Sequence, residues 1–478
     1  MGHLLFRPRP GHGRSAWYGY PYDAGESFSV RIGEGVGGDR REAPTSGFVA
    51  SGSQSTLRDG QRGGPVLGIP ARATARSGDI SFLDHGNHGT GGSTLKELNV
   101  ALIGCGFMGK AHSNAWRSVR LFYPNAAAYP RLKVICGAPG EDVQRYADIY
   151  GWEEASQDWQ ATVARDDIDI IDIVTPGKLH APIAIAAAQT GKAVSCEKPL
   201  ANTMEEAESM ADAVEKAGVV NLCSFNYRRV PAVALAKQLI EEGFLGRVFH
   251  WRAQYLQDWI VDPSFPLVWR LQKSEAGSGA LGDIGAHIVD LSHYLCGRVT
   301  ELTAHMETFI HERPLLAEVT GGLSAEAGSG MGTVDVDDAA LWLAKFDNGA
   351  IGTFEATRFA PGGLNKNRWE INGEHGSIRF NLERLTELEV FSRKDPEHIQ
   401  GWKTIQVSQS VQPYVAAYWP PGHHIGWEHT FINSVHDLME AVVNGTEMRP
   451  TFRDGLYVQK VLGAVEASND SRQWEKVL

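Results

Sequence analysis

The chain is short of cysteine, of positive charge and of long apolar runs. Its five cysteines, Cys105, Cys136, Cys196, Cys223 and Cys296, never fall in C-x-x-C spacing, and each lies in or beside an apolar run. That distribution argues against a disulfide framework or a cysteine zinc site and reads as buried, reduced thiols. Reduced thiols place the chain in a reducing compartment, the cytoplasm. Acidic residues outnumber Lys and Arg by 57 to 45, a net charge of −12, so neither nucleic acid nor an anionic membrane is an expected partner. No apolar stretch approaches the ~20 residues that span a bilayer, and no internal repeat is visible. What is present, 42% hydrophobic and 21% charged residues in 478, suits a globular protein of two or three domains with ample core.

Residues 1–94 lack both cysteine and any sustained helical or strand period, and are rich in Gly, Arg, Ser and Pro. Such a stretch cannot bury enough apolar surface to offset its ordering entropy, so disorder is expected there. Leu4, Leu5 and Phe6 run directly into Arg7-Pro8-Arg9-Pro10, which is no secretory signal. With no methionine between Met1 and Met108, a true start near Leu95 at a non-methionine codon is a further expectation.

From Leu98 strands and helices alternate, as in a doubly wound parallel sheet. Val100, Leu102 and Ile103 read as a buried strand, and Gly104-x-Gly106-x-x-Gly109, enclosing Phe107 and Met108, then opens a helix. In such a turn the first glycine permits the bend, the second the approach of a pyrophosphate, the third helix–strand packing. Free N–H groups at the helix start then face the phosphates. An ordinary tight turn is the alternative. Thr175-Pro176, Glu197 and Phe225 fall at later strand ends, where the ligand crevice of such a sheet lies. After about Gly246 the pattern becomes alternation with turns such as Asp347-Asn348-Gly349, the mark of a mostly antiparallel sheet with one covered face. A helix is expected over Asp283–Cys296. Glu312 to Gly332 reads as a glycine-rich mobile stretch, and Gln409 to Ile425 as an aromatic one that covers a sugar or a neighbouring subunit. The domains expected are residues 1–94 as an extension, 95–225 for the cofactor, and 226–478 for substrate and oligomerisation. The final helices are free to pack back on the cofactor domain.

Two clusters carry chemistry. Glu197-Lys198-Pro199-Leu200 puts a lysine at the crevice mouth, where it either bonds a substrate hydroxyl and eases its deprotonation or is a solvated loop charge. Asp283 and His287 are four apart and so share one helix face. An imidazole there suits acceptance of a hydroxyl proton, with Asp283 orienting it or binding substrate. The alternatives are a helix cap at Asp283 with a satisfied polar His287, or a metal pair, which no other ligand set of suitable spacing supports.

Taken together, Gly104-x-Gly106-x-x-Gly109, Thr175-Pro176 with His180, Glu197-Lys198-Pro199 and Asp283-x-x-x-His287 resemble the Gfo/Idh/MocA oxidoreductases from about Leu98 onward. The resemblance implies NAD(P) in the first domain, held by the three glycines, Phe107, Met108, Thr175, Pro176, His180, Glu197 and Lys198. It implies Lys198, Asp283 and His287 as the catalytic set, no metal, and a cis Lys198–Pro199 bond as in relatives. Hydride would pass between the nicotinamide and a secondary hydroxyl, usually of a sugar or cyclitol, in a homodimer or homotetramer. The stretches Ser224–Arg229, Tyr255–Trp259, Trp269-Arg270 and Gly279–His287 are most similar to the sugar 3-dehydrogenases of the family. Asn226, Arg228, Gln257, Asp258, Trp269 and Arg270 are the substrate contacts this implies.

One departure bears on the cofactor. The acid expected after the second strand to hold the ribose 2′-hydroxyl is replaced by Cys136-Gly137-Ala138-Pro139. Glu141 or Asp142 could serve from the next turn, and no arginine nearer than Arg145 could receive a 2′-phosphate. NAD is therefore favoured over NADP. The reaction expected is oxidation of a ring secondary alcohol, at C3 of a glucose-like pyranose, anhydrosugar or glycoside. His287 serves as base and Lys198 holds the developing alkoxide, because an ordinary lysine is protonated at neutral pH. The rivals are an inositol dehydrogenase, a glycoside-cleaving enzyme that uses NAD transiently, and a non-catalytic cofactor-binding protein.

Overall fold

The structure, a computed structural model, describes residues 96–477 apart from 322 and 323. The expectation of disorder over 1–94 lies outside the described residues. The first half runs β1 (Lys96–Ile103), α1 (Phe107–Phe122), β2 (Ala128–Cys136), α2 (Val143–Tyr150), β3 (Glu154–Ser156), α3 (Trp159–Val163), β4 (Ile170–Ile173), α4 (His180–Gln189), β5 (Ala193–Cys196), α5 (Met204–Ala217) and β6 (Asn221–Cys223). The sheet order is β3-β2-β1-β4-β5-β6, with every pair parallel. Its strand order reverses between β1 and β4, and that switch point opens a crevice beyond their carboxyl ends. Strand β4, Ile-Ile-Asp-Ile, is buried throughout, as a strand covered by helices on both faces must be. Local signals agree with this sheet. Thr203 and Glu206 form a capping box at the start of α5, and Gly218 ends that helix in the left-handed region, satisfying otherwise unpaired backbone groups.

The second half continues with α6 (Pro231–Glu241), β7 (Val248–Leu256), α7 (Lys273–Ala276), a π turn (Leu281–Gly285), α8 (Ala286–Leu295), β8 (Val299–Glu307), β9 (Glu312–Gly321), β10 (Ser324–Thr333), β11 (Ala339–Phe346), β12 (Ile351–Thr357), β13 (Lys366–Gly373), β14 (Gly376–Asn381), β15 (Glu387–Ser392), β16 (Lys403–Gln406), α9 (His429–Asn444), α10 (Phe452–Ser471) and β17 (Glu475–Lys476). Nine of these strands form one sheet, β16-β15-β14-β13-β7-β12-β11-β8-β17. It is antiparallel except where β7 pairs with β12. Along β11, Ala340, Trp342, Ala344 and Phe346 are buried while Leu341 and Leu343 are exposed, the alternation of a sheet covered on one face. Trp342 stacks on Phe354, and Trp251 on Trp369.

Three stretches take a form that the sequence pattern did not give. The glycine-rich stretch from Glu312 forms the two-stranded ribbon β9–β10, because backbone pairing needs no side-chain pattern. The ribbon is anchored by the fully buried Arg313, which donates to the carbonyls of Ile260, Asp262 and Phe265. The aromatic stretch from Gln409 packs within the chain through two tyrosines. Tyr418 packs on Phe122 and bonds Asn433, and Tyr414 donates to Asp437, so it seals the join between α1 and α9. The helix expected from Asp283 begins instead as the π turn, in which the Ala286 N–H donates to the Leu281 carbonyl. Of the final helices, α9 packs on α1 and α10 on α5.

Candidate active site

The cofactor cradle follows β1. Gly104 has φ +120°, and a Cβ there would lie 2.7 Å from the Val174 carbonyl oxygen. A Cβ on Gly109 would lie 2.5 Å from the Gly104 carbonyl oxygen, whereas one on Gly106 would meet nothing within 4 Å. The turn is thus closed on its protein side and open on its crevice side, as the approach of a pyrophosphate requires. Phe107 and Met108 begin α1, and the ring of Phe107 stacks on Trp427 at 5.7 Å. Across the crevice, Thr175 Oγ1 is buried without a hydrogen-bond partner. An orphaned hydroxyl beside an open glycine turn fits a polar ligand, because leaving it unpaired is costly. Pro176 leads from it into the 3₁₀ turn before α4. At the end of β2, Glu141 folds its carboxylate back onto the Ala138 N–H at 2.9 Å, while Asp142 caps α2. Glu141 thus holds a carboxylate at the end of β2, beside Ala138.

The side chains of two expected cofactor contacts are engaged within the protein. His180 lies against the carbonyls of Thr175, Pro199 and Leu200 through its two ring nitrogens. Glu197 uses one oxygen on His112 and the other on the Lys198 N–H. Both side chains thus brace the loops through hydrogen bonds within the protein. His112 itself lies between Asp172 at 2.8 Å and Glu197 at 3.0 Å. Burial alone would push this imidazole down, but the two carboxylates carry it up to about 10.

The loop after β5, with a cis Lys198–Pro199 bond, extends Lys198 toward the π turn. Its Nζ donates to Asp283 Oδ1 at 3.0 Å and to the Asp283 carbonyl at 2.7 Å. The turn is fixed by Asp337, whose carboxylate accepts from the N–H groups of Gly279 and Leu281, both at 2.7 Å. A Cβ on Gly279 would sit 1.8 Å from the Asp337 carbonyl oxygen, so only glycine permits this approach. Burial opposes the charge on Asp283, yet Lys198, Arg358 and Arg270 together hold its carboxyl well below the usual range.

His287 follows at the start of α8, 6% exposed, with Tyr227, Tyr255 and Phe225 packed around its ring at 4.5, 5.8 and 6.0 Å. Burial first, and Lys198 second, hold the imidazole well below its ordinary value. It is neutral at pH 7. Its Nδ1 is buried without a partner. Lys198, Asp283 and His287 are thus brought together from the two sheets.

A polar wall continues from His287. Tyr227 and Tyr255 share a hydroxyl hydrogen bond at 2.8 Å, Tyr255 donates to Asn365, and Gln257 joins Asn365 to Trp259. Arg270 lies over the Trp269 ring at 4.3 Å. Burial lowers the Arg270 guanidinium, and Asp283 partly offsets this. The remaining expected substrate contacts form hydrogen bonds within the protein. Arg228 is corrected outright, since Nε and Nη2 grip buried Asp290. Asn226 donates to Thr430, and Asp258 accepts from the Gly362 N–H. Arg358, Tyr227, Tyr255 and Asn365 were not among the residues singled out. The two tyrosines stand in stretches that the resemblance did mark, whereas no motif surrounds Arg358 or Asn365. Among the described residues no three His, Cys, Asp or Glu side chains converge as a metal set, and no helix is long and apolar enough to cross a membrane.

A Rossmann sheet with an open glycine cradle, joined at its switch point to a lysine–aspartate pair and a neutral histidine, defines an NAD-dependent oxidoreductase acting on CH–OH groups. The chain belongs to the Gfo/Idh/MocA family. Residues 98–226 match the oxidoreductase family's NAD-binding Rossmann fold, and residues 233–379 match the GFO/IDH/MocA C-terminal domain. The chain is 45% identical to the levoglucosan dehydrogenase of Pseudarthrobacter phenanthrenivorans, over 80% of this chain and 99% of that one. Among solved structures it resembles an oxidoreductase domain protein from Kribbella flavida, with 49% identity, TM-score 0.77, and 80% and 100% of the two chains covered. It also resembles levoglucosan dehydrogenase in complex with NADH and levoglucosan, with 44% identity, TM-score 0.76 and the same coverage.

Proposed function

We propose that the protein oxidises a secondary ring hydroxyl of a pyranose, anhydrosugar or glycoside, at C3, to a ketone. The observation that carries this reading is the Lys198–Asp283 contact at 3.0 Å beside neutral His287, at the mouth of the cofactor crevice. When bound between the glycine turn, Thr175 and Glu141, NAD supplies the hydride acceptor. The residues of the chain do the rest. Lys198 Nζ, fixed by Asp283, donates to the substrate hydroxyl and stabilises negative charge developing on its oxygen. His287 takes the hydroxyl proton at Nε2, and the aromatic cage that keeps the ring neutral makes it available as a base. Arg270, Gln257 and Trp269 bind further hydroxyls of the ring. The 45% identity to a levoglucosan dehydrogenase supports an anhydrosugar or glucose-like ring as the substrate class. The exposed Leu341, Leu343 and Ile351 on neighbouring strands support a homo-oligomer built on that sheet face.

The test is a screen of NAD reduction across levoglucosan, glucose, alkyl glucosides and inositols, with the product ketone located by NMR. Turnover of a pyranose ring giving a C3 ketone is expected, with Lys198→Met and His287→Ala each reducing it by about 10²-fold or more. A ketone at another carbon would sink the C3 assignment. Released aglycone without net NADH would replace the reading with glycoside cleavage. An unchanged His287→Ala pH profile with an inactive Lys198→Met would exchange the two roles.

A further inference from the structure

Among the buried charges that the reaction above leaves without a role, one touches the catalytic aspartate. Arg358 stands just past the end of β12, its side chain fully buried. Its N–H donates to the Asp338 carbonyl at 3.1 Å. Nη2 donates to Asp283 Oδ2 at 2.8 Å and to the Gly279 carbonyl at 3.2 Å, and Nη1 to the Arg270 carbonyl at 3.4 Å. The guanidinium also lies 5.5 Å from the ring of Trp259. One side chain therefore reaches the π turn, the Arg270 segment and the wall of the pocket. Nε has no partner, so the grip is not one that mere burial would choose. A hydrophobic residue would fill the same space at lower desolvation cost.

We propose that Arg358 is a positioning residue for the reaction, holding Asp283 Oδ2 so that Oδ1 alone meets Lys198 and the Lys198 ammonium stays aimed at the substrate hydroxyl. This rests on the dehydrogenase reading above. The two oxygens of Asp283 are divided between two cations, Lys198 at 3.0 Å and Arg358 at 2.8 Å. Without the second cation the carboxylate is free to rotate both oxygens onto Lys198 and draw Nζ away from the crevice. Neither neighbouring acid hydrogen-bonds the guanidinium through its carboxylate, although both feel its charge. Asp337 is occupied by Gly279 and Leu281, and Asp338 accepts from the N–H groups of Phe309 and Ile310. Around Asp283 the other charged or titratable groups are Lys198, Arg270, His287 one turn on, and the hydroxyls of Tyr227 and Tyr255. Removing Arg358 takes one of three positive charges from this set. The acid limb of the rate profile, where the base His287 gains a proton, then moves to higher pH, because less positive charge opposes the imidazolium.

The experiment compares Arg358→Gln and Arg358→Lys with wild type on the best sugar of the screen. For Arg358→Gln the expected result is kcat lower by about 10²-fold, the cost of a small misplacement of a reacting group. KM for NAD and NADH binding should stay unchanged, with the acid limb shifted upward. Arg358→Lys, which keeps the charge and loses the fork, should restore the limb and part of kcat. In an Asp283→Asn background, Arg358→Gln should add little further loss, since the two act as one unit. If Arg358→Gln does not fold, the limb is read from Arg358→Lys alone, and a kcat equal to wild type there overturns the proposal. Loss of kcat with an unmoved limb and full additivity with Asp283→Asn also overturns it, leaving Arg358 as scaffold. A wild type inactive on every sugar sinks the dehydrogenase reading. An active wild type with an unaltered Arg358→Gln sinks this inference alone.

Discussion

Raising the pH from neutral toward 10 should loosen the first domain through one residue, His112. Its two ring nitrogens face Asp172 at 2.8 Å and Glu197 at 3.0 Å, and Trp116 Nε1 also donates to Asp172 at 2.8 Å. Both nitrogens have acceptors, so the imidazole must carry both protons to satisfy them. Its value rises from an ordinary 6.5 to about 10 despite burial, because of the two carboxylates. A raised value in the folded state means that the unfolded chain loses the proton first. The stabilisation is complete below pH 6.5 and disappears as pH climbs to about 10. At about 1.4 kcal/mol per pH unit, that interval sets a ceiling of roughly 5 kcal/mol. Breaking one partner of a buried ion pair costs about 3–5 kcal/mol by mutation, which agrees. Urea unfolding of wild type and His112→Leu between pH 6 and 10 provides the assay. The expected result is a gap of a few kcal/mol at pH 6 that closes as the pH rises. Two curves running parallel across the whole interval would refute the buried imidazolium.

Glu141→Ala should weaken NAD by about 10-fold, the worth of a hydrogen bond to a charged group, while leaving NADP nearly unaffected. Equal losses for both cofactors would remove Glu141 from the ribose. Arg270→Ala should raise KM for the sugar by about 10-fold or more with little change in KM for NAD. A change confined to NAD would displace Arg270 from the substrate wall.

The alternation of strands and helices was legible in the sequence because βαβ units leave local marks: a glycine turn after β1 and buried runs such as Ile170–Ile173. The trio proposed as catalytic was legible for a related reason. Lys198 and Asp283–His287 sit in short motifs whose neighbours, Pro199 and Gly279, shape the backbone that presents them. The ribbon at β9–β10 was not legible, because its pairing is made by backbone groups and its anchor, Arg313, binds carbonyls about 50 residues upstream in the chain. Arg228 read as a substrate contact because an arginine's partner cannot be seen from its neighbours, and Asp290 lies 62 residues away.

The sequence by itself determined which chemistry the chain carries: a glycine cradle for a dinucleotide, a lysine, and an aspartate and histidine one helical turn apart. Only the tertiary structure decided how each group is used. It set Arg358 against Asp283 across 75 residues, enclosed His287 in aromatic rings, and turned Glu197 toward His112 instead of the crevice. Charge and hydrogen bonding act through space, and which charges face one another is fixed only when the two sheets close on each other.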